Sequence, residues 1–167
     1  QNYWMTIHPP TLFLGFASTS IPFAFAIAGL LNRQDRSWMH PALRWSFFGV
    51  GILGTGILMG GAWAYEALSF GGFWAWDPVE NSSLVPWIVL VAGAHLLLIN
   101  RNRKQPTALF STYYFPLLSF ILVLYSTFLT KSGFSSCNRD AFTDIIHGVL
   151  ENFFHTLICW QTLSSTQ

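Results

Sequence analysis

Long apolar runs alternate with short polar stretches along this chain, and their spacing is the first thing that bounds the fold. Four runs stand out, at about 11–31, 46–65, 84–100 and 109–130. A helix needs roughly 20 predominantly apolar residues to cross the hydrocarbon core of a bilayer. The runs meet or approach that length, the third being the shortest. The pattern predicts an all-α fold, a polytopic membrane helix bundle with about four transmembrane helices. Pro22 and Pro116 fall inside the first and fourth runs, where neighbouring helices can re-satisfy the carbonyls that proline frees. The second carries Gly49, Gly51, Gly54, Gly56, Gly60 and Gly61. These would let another helix or a flat ligand approach the backbone closely, and plain helix packing is the simpler account.

The polar connections orient the bundle. Arg33, Arg36 and Arg44 sit in the first, and Arg101, Arg103 and Lys104 in the third, whereas the opposite side holds Lys131 and Arg139. Lys and Arg collect in cytoplasmic loops. The N-terminus, the 66–83 connection and the C-terminal tail are therefore expected on the non-cytoplasmic face, together with His8. The tail changes character after Gly133. Residues 134–144 are polar and mixed, and 145–163 read as an amphipathic helix with Ile146, Val149, Leu150, Phe153, Leu157 and Ile158 on one side. His147, Glu151 and His155 follow i, i+4, i+8 on another face. Such a pair can bind metal, but a solvated polar face is the reading preferred.

Composition agrees with a membrane protein: of 167 residues 52% are hydrophobic and 9% charged. A net charge of +1 gives no bulk electrostatic case for nucleic-acid binding. Cys137 and Cys159 form no CxxC, and the absence of CxxCH excludes covalent c-type haem on this chain. Residues 1–5 carry no signal-peptide pattern, and the chain reads as one piece of a longer membrane protein.

The second connection is the unusual one. Gly71-Gly72-Phe73-Trp74-Ala75-Trp76-Asp77-Pro78-Val79-Glu80-Asn81 concentrates aromatics, glycines and carboxylates, with Trp63, Tyr65, Phe70 and Trp87 flanking it. Trp and Tyr collect at membrane interfaces, which accounts for the indoles but not for Asp77 and Glu80. Carboxylates near membrane depth are costly and usually functional. An aromatic shelf with exposed backbone and fixed carboxylates suits a large, flat, conjugated ligand. Asp77 and Glu80 as general acid and base are disfavoured, since no nucleophile lies nearby. Asp77-Pro78 followed by Glu80-Asn81 equally suits a loop that caps the next helix. Two histidines join the candidates. His95 is the one ionisable group in an apolar stretch, a functional position by default, and neutral imidazole is a common axial ligand to haem iron. His8 precedes Pro9-Pro10, whose fixed φ is expected to set the chain's exit from the first helix. His40 lies with the arginines and takes no role.

With these residues assembled, the chain resembles the tryptophan-rich haem-handling proteins of cytochrome c maturation, and among them the CcmF-type haem lyases. The motif is Phe70 to Asn81, and its Val79-Glu80-Asn81 ending is similar to the CcmF form in particular. Ile7-His8-Pro9-Pro10 is similar to the segment that carries the family's first external His, and His95 to its membrane-embedded His. The resemblance spans about 4–133. It implies a haem-handling domain over 1–133 and a divergent external tail over 134–167. It also implies haem-binding residues His8, Phe70, Gly71, Gly72, Phe73, Trp74, Trp76, Asp77, Pro78, Glu80, Asn81 and His95. His8 and His95 would be iron ligands, to transported haem b and to a resident haem b respectively, while no catalytic residue is assigned.

The implied reaction joins haem to the CxxCH thiols of apocytochrome c, with other maturation proteins and a haem chaperone as partners. The implied location is the bacterial inner membrane, with the shelf on its periplasmic face, or an equivalent organelle membrane. Two departures qualify this. Phe70 stands in place of Trp, and Asp140 stands where a second external His is expected. The family's later helices, with the second ligand of the resident haem, would come from a companion chain, unless this product is truncated and inactive. Two other classes compete. A transporter or permease fragment would need charges lining a cavity, or internal repeats. A structural subunit of a respiratory complex would use the aromatics as an interfacial belt alone.

Overall fold

The computed structural model describes residues 3–32, 36–67, 72–101 and 108–131. Phe70, Gly71, Asp140, both cysteines, and the histidines and expected helix of the tail lie outside these residues. The described chain forms α1 (Tyr3–Ser18), α2 (Ser20–Leu31), α3 (Met39–Ala67), α4 (Pro78–Arg101) and α5 (Leu109–Lys131). α1 and α2 meet at Thr19, which keeps helical dihedrals (φ −67°, ψ −22°), so together they make one span over Tyr3–Leu31. The four resulting helices are long and apolar enough to cross a membrane, and the fold is a polytopic helical bundle.

Each helix reaches beyond its apolar run where local hydrogen bonding sustains it. α1 starts at Tyr3 and passes through Pro9 and Pro10, so His8 lies inside the helix and not at an exit set by the prolines. The prolines each remove one N–H from the ladder; nearby, Thr11 Oγ1 donates to the Ile7 carbonyl (2.8 Å). At the α1–α2 junction Ser18, Thr19 and Ser20 each donate a hydroxyl to the carbonyl three residues back, at 2.6–2.7 Å. Pro22 lacks the N–H that would reach Ser18. Back-bonded hydroxyls next to proline are an identifiable cause of helix irregularity.

α3 is central, packing on α1 and α2 along one side and on α4 along another, while α5 joins α4 to α2. Along the α1–α3 crossing the partners run antiparallel: His8 meets Gly60, Leu12 meets Gly56, Gly15 meets Leu53 and Ser18 meets Gly49. A Cβ at Gly15 would lie 2.7 Å from the Leu53 Cα, and one at Gly56 3.0 Å from the Leu12 Cα. Gly15 and Gly56 thus serve backbone-to-backbone packing, the simpler account, whereas Gly49, Gly54, Gly60 and Gly61 make room for side chains. Gly51, with open space around it, does neither.

The apolar core lies toward the end of the bundle that carries Arg36, Arg44 and Arg101. Ala26, Trp38, Met39, Ala42, Leu43 and Leu97 cluster there. Trp38 stacks on Tyr113 (centroids 4.5 Å apart) and donates Nε1–H to its hydroxyl (2.8 Å). Asn100, also buried, donates to Thr112 Oγ1 (2.6 Å). At the opposite end the Trp-rich loop meets α1 and α3.

Candidate functional site

The loop is held by the helix that follows it. Pro78 opens α4, and the Asn81 N–H closes the first turn on the Asp77 carbonyl (3.0 Å). Glu80 reaches back, and its Oε2 accepts the N–H groups of Asp77 (3.2 Å) and Ala75 (2.9 Å). This is the returning half of a capping box. Asn81 Nδ2 donates to the Trp76 carbonyl (3.1 Å), so Glu80 and Asn81 clamp both sides of Trp76. The clamp is needed because Trp76 has φ 57°, a left-handed conformation that is a genuine outlier for a bulky side chain. Asp77 is exposed, and its carboxylate takes no part in the clamp.

With φ 57° at Trp76 the backbone is not extended there, and the two indoles do not lie flat on one face. Trp74 and Trp76 meet edge to face, centroids 6.2 Å apart and planes 83° apart. Trp74 is half-buried and Trp76 is 65% exposed. Two cavities result, with Trp74 and Ile57 in the wall between them. One, of about 400 Å³, is lined by His8, Gly60, Gly61, Trp63, Trp74, Asp77, Glu80 and Ser83 among others. The other, of about 470 Å³, is almost wholly apolar and is bordered by Gly54, Leu58, Phe73, Trp76, Leu84 and Trp87. Gly61 makes room for the Phe73 ring, and Gly54 for Trp87, whose Nε1 donates to the Val50 carbonyl (2.9 Å).

His8 enters the first cavity from α1. Its Nδ1 lies 2.8 Å from the Gly56 carbonyl oxygen, and the ring lies nearly parallel to Trp63 (12°, centroids 6.4 Å apart). Gly56, Gly60 and Trp63 follow i, i+4, i+7 along α3 and so share one face. That helical period was the sequence signal for the three residues that fix His8, and an aromatic count alone misses it. The indole Nε1 of Trp74 and Oδ1 of Asn81 are buried without a hydrogen-bond partner among the described residues. Such groups cost about 1–3 kcal/mol each unless something satisfies them.

His95 is elsewhere. It is exposed on the outside of the bundle, its Nδ1 2.8 Å from the Val91 carbonyl of its own helix, with Phe47 edge-on at 6.4 Å. Among the described residues no hydrogen bond ties it to a neighbouring helix. His8, Phe73, Trp74, Trp76, Asp77 and Glu80 are therefore brought together around two adjoining cavities, and His95 is not among them. Gly72 and Asn81 belong to the loop and its anchor. No group of three or more His, Cys, Asp or Glu forms a metal site among the described residues.

A helical membrane bundle with a clamped Trp-rich loop and one histidine turned into an aromatic cavity defines the class. Within it, the cytochrome c assembly protein family matches residues 1–135, and the chain belongs to that family. The "Cytochrome c-type biogenesis protein CcmF" of Pseudomonas aeruginosa is 37% identical over 98% of this chain and 25% of its own length. CycK of Bradyrhizobium diazoefficiens, of the same description, is 39% identical over 95% of this chain and 24% of its own. Escherichia coli CcmF is 40% identical over 80% and 20%. A solved "Cytochrome c Heme Lyase CcmF" superposes with a TM-score of 0.70 at 37% identity, covering 77% of this chain and 22% of that one. The chain thus spans about a quarter of the length of these relatives. The chain is a multi-pass membrane protein of the cytochrome c assembly family, of CcmF type.

Proposed function

We propose that this chain is a haem-handling component of cytochrome c maturation, holding haem at the loop end of the bundle for attachment to apocytochrome c. The observation that carries the reading is His8, with Nδ1 occupied by the Gly56 carbonyl, at the edge of a cavity walled by Trp63 and Trp74. The surroundings fit the cargo. Gly60 and Gly61 line the cavity and leave the His8 and Phe73 rings room to lie against α3. The apolar cavity beyond Trp74 suits the porphyrin's hydrocarbon edge. Haem supplies the vinyl groups across which the apocytochrome thiols add to form thioethers. His8 would hold the iron, the loop would orient the ring, and the enclosing aromatics would exclude water. Fixed orientation lets thiol and vinyl meet at high effective concentration. The face would be periplasmic in a bacterial inner membrane, or its organelle equivalent, with a haem chaperone delivering and other maturation proteins assisting.

Resident haem b at His95 belongs to the same reading, with the second ligand from a companion segment. Titrating the detergent-purified chain with ferric haem tests the external site. The expected outcome is weak, five-coordinate or mixed binding that His8→Ala abolishes. The paired Trp74→Ala and Trp76→Ala substitutions should weaken it far more than the paired Phe substitutions do. Burial against one indole contributes on the order of 1–3 kcal/mol. Asp140→His should shift the spectrum toward six-coordinate, low-spin haem. If neither His8→Ala nor Asp140→His alters the spectrum, haem is not held here.

A further inference from the structure

The proposed function needs an imidazole nitrogen free for iron, and this chain contains a device that selects which one. We propose that the Gly56 carbonyl and the bare surface of Gly60 position His8, locking the Nδ1–H tautomer so that Nε2 is the nitrogen presented to the cavity. The inference rests on the haem-holding reading for its purpose, but not for its geometry.

A carbonyl oxygen only accepts, so the ring nitrogen 2.8 Å from the Gly56 oxygen must carry a proton. The alternative ring orientation would set a C–H at that distance, well inside the 3.3–3.6 Å of carbon–oxygen contacts. In the neutral ring the proton on Nδ1 leaves Nε2 with its lone pair, and Nε2 has no hydrogen-bond partner among the described residues. Metal-ligating histidines are oriented in this way, by a carbonyl or carboxylate on the other nitrogen.

Gly60 sets the ring's height. A Cβ there would lie 2.7 Å from Cε1 and 3.3 Å from each ring nitrogen, closer than the imidazole could tolerate without moving. Trp63 covers the ring in near-parallel register. Gly56 and Gly60 therefore have a task beyond helix packing: one offers its carbonyl to His8 while the other leaves the ring room to reach it.

Nitrogen-15 NMR of the full chain, labelled at histidine and reconstituted without haem, reads the tautomer directly, with His8→Gln assigning the signal. The expected result is a protonated Nδ1 and a bare Nε2 at His8. A protonated Nε2, or the tautomer mixture of free histidine, would overturn the proposal. Gly60→Ala should convert the His8 signal to that mixture and weaken haem binding about 10–100-fold, the usual effect of losing an orienting group. Gly51→Ala, which meets open space, should leave both unchanged. If Gly60→Ala leaves the His8 signal as in the wild type, Gly60 does not position the ring. Should the wild-type chain show the locked tautomer yet bind no haem through His8, the proposed function fails while the positioning device stands.

Discussion

Replacing Glu80 by alanine removes the acceptor of two loop N–H groups, while replacing Asp77 removes none. The two carboxylates lie three residues apart, and only the structure separates them: one is bound to its own backbone, the other is exposed beside the His8 cavity. Loss of a cap costs on the order of 1 kcal/mol, and here the cost falls on a loop already holding Trp76 at φ 57°. Glu80→Ala should therefore speed proteolysis within 72–77 and red-shift the Trp emission, with the melting of the bundle little changed. Glu80→Gln, which keeps a carbonyl acceptor, should restore much of the protection. Asp77→Asn should leave loop protection at the wild-type level. Equal loss in Asp77→Asn and Glu80→Ala would mean that the clamp is not what orders the loop. The motif's importance was legible in its residue types. The division of labour was not, because it depends on a left-handed dihedral that no tryptophan advertises in sequence.

At the scale of the helix, the α1–α3 crossing is set by four close approaches, and two of them bring backbones together at Gly15 and Gly56. Gly15→Ala would place a methyl 2.7 Å from the Leu53 Cα. Neither backbone can give way as a flexible side chain would, so the helices must separate. Overpacking of this kind typically costs 1–3 kcal/mol. The expected outcome is a lower unfolding midpoint in detergent for Gly15→Ala and a smaller haem response, because His8 is carried two turns away on the same helix. Gly51→Ala should match the wild type in both measurements; a parallel fall would place the crossing elsewhere on α3. The number of helices and the close-packing glycines follow from apolar spacing and residue type. The helix limits do not, since α1 runs through Pro9-Pro10 and α4 gains a polar first turn from Glu80. Nor does the rotation of α1 that turns His8 onto Gly60, because a glycine-rich stretch offers close approach on several faces.

For the molecule as a whole, the two histidines of the proposed function divide between an interior and an exterior. Leu84 and His95 are eleven residues apart on α4, close to three whole turns, and so face the same way about 16 Å apart along the helix. Leu58 and Phe47 stand in the same relation on α3. The outward face below the apolar cavity thus carries an imidazole whose Nδ1–H is satisfied by Val91 and whose Nε2 is not bound within the bundle. An ionisable group on the outward face of a membrane-spanning helix is costly, and in the proposed function a companion segment covers this face. If that segment supplies a second ligand, resident haem b should be low-spin only in the assembled complex. The four-helix unit purified alone should lack that signal. His95→Ala should erase it from the assembled complex without lowering membrane insertion or the external haem response of His8. Gly60→Ala should do the reverse, sparing the resident haem and weakening the external one. A low-spin spectrum that survives His95→Ala in the assembled complex would leave His95 as a neutral helix-surface imidazole and remove the second haem site from this chain.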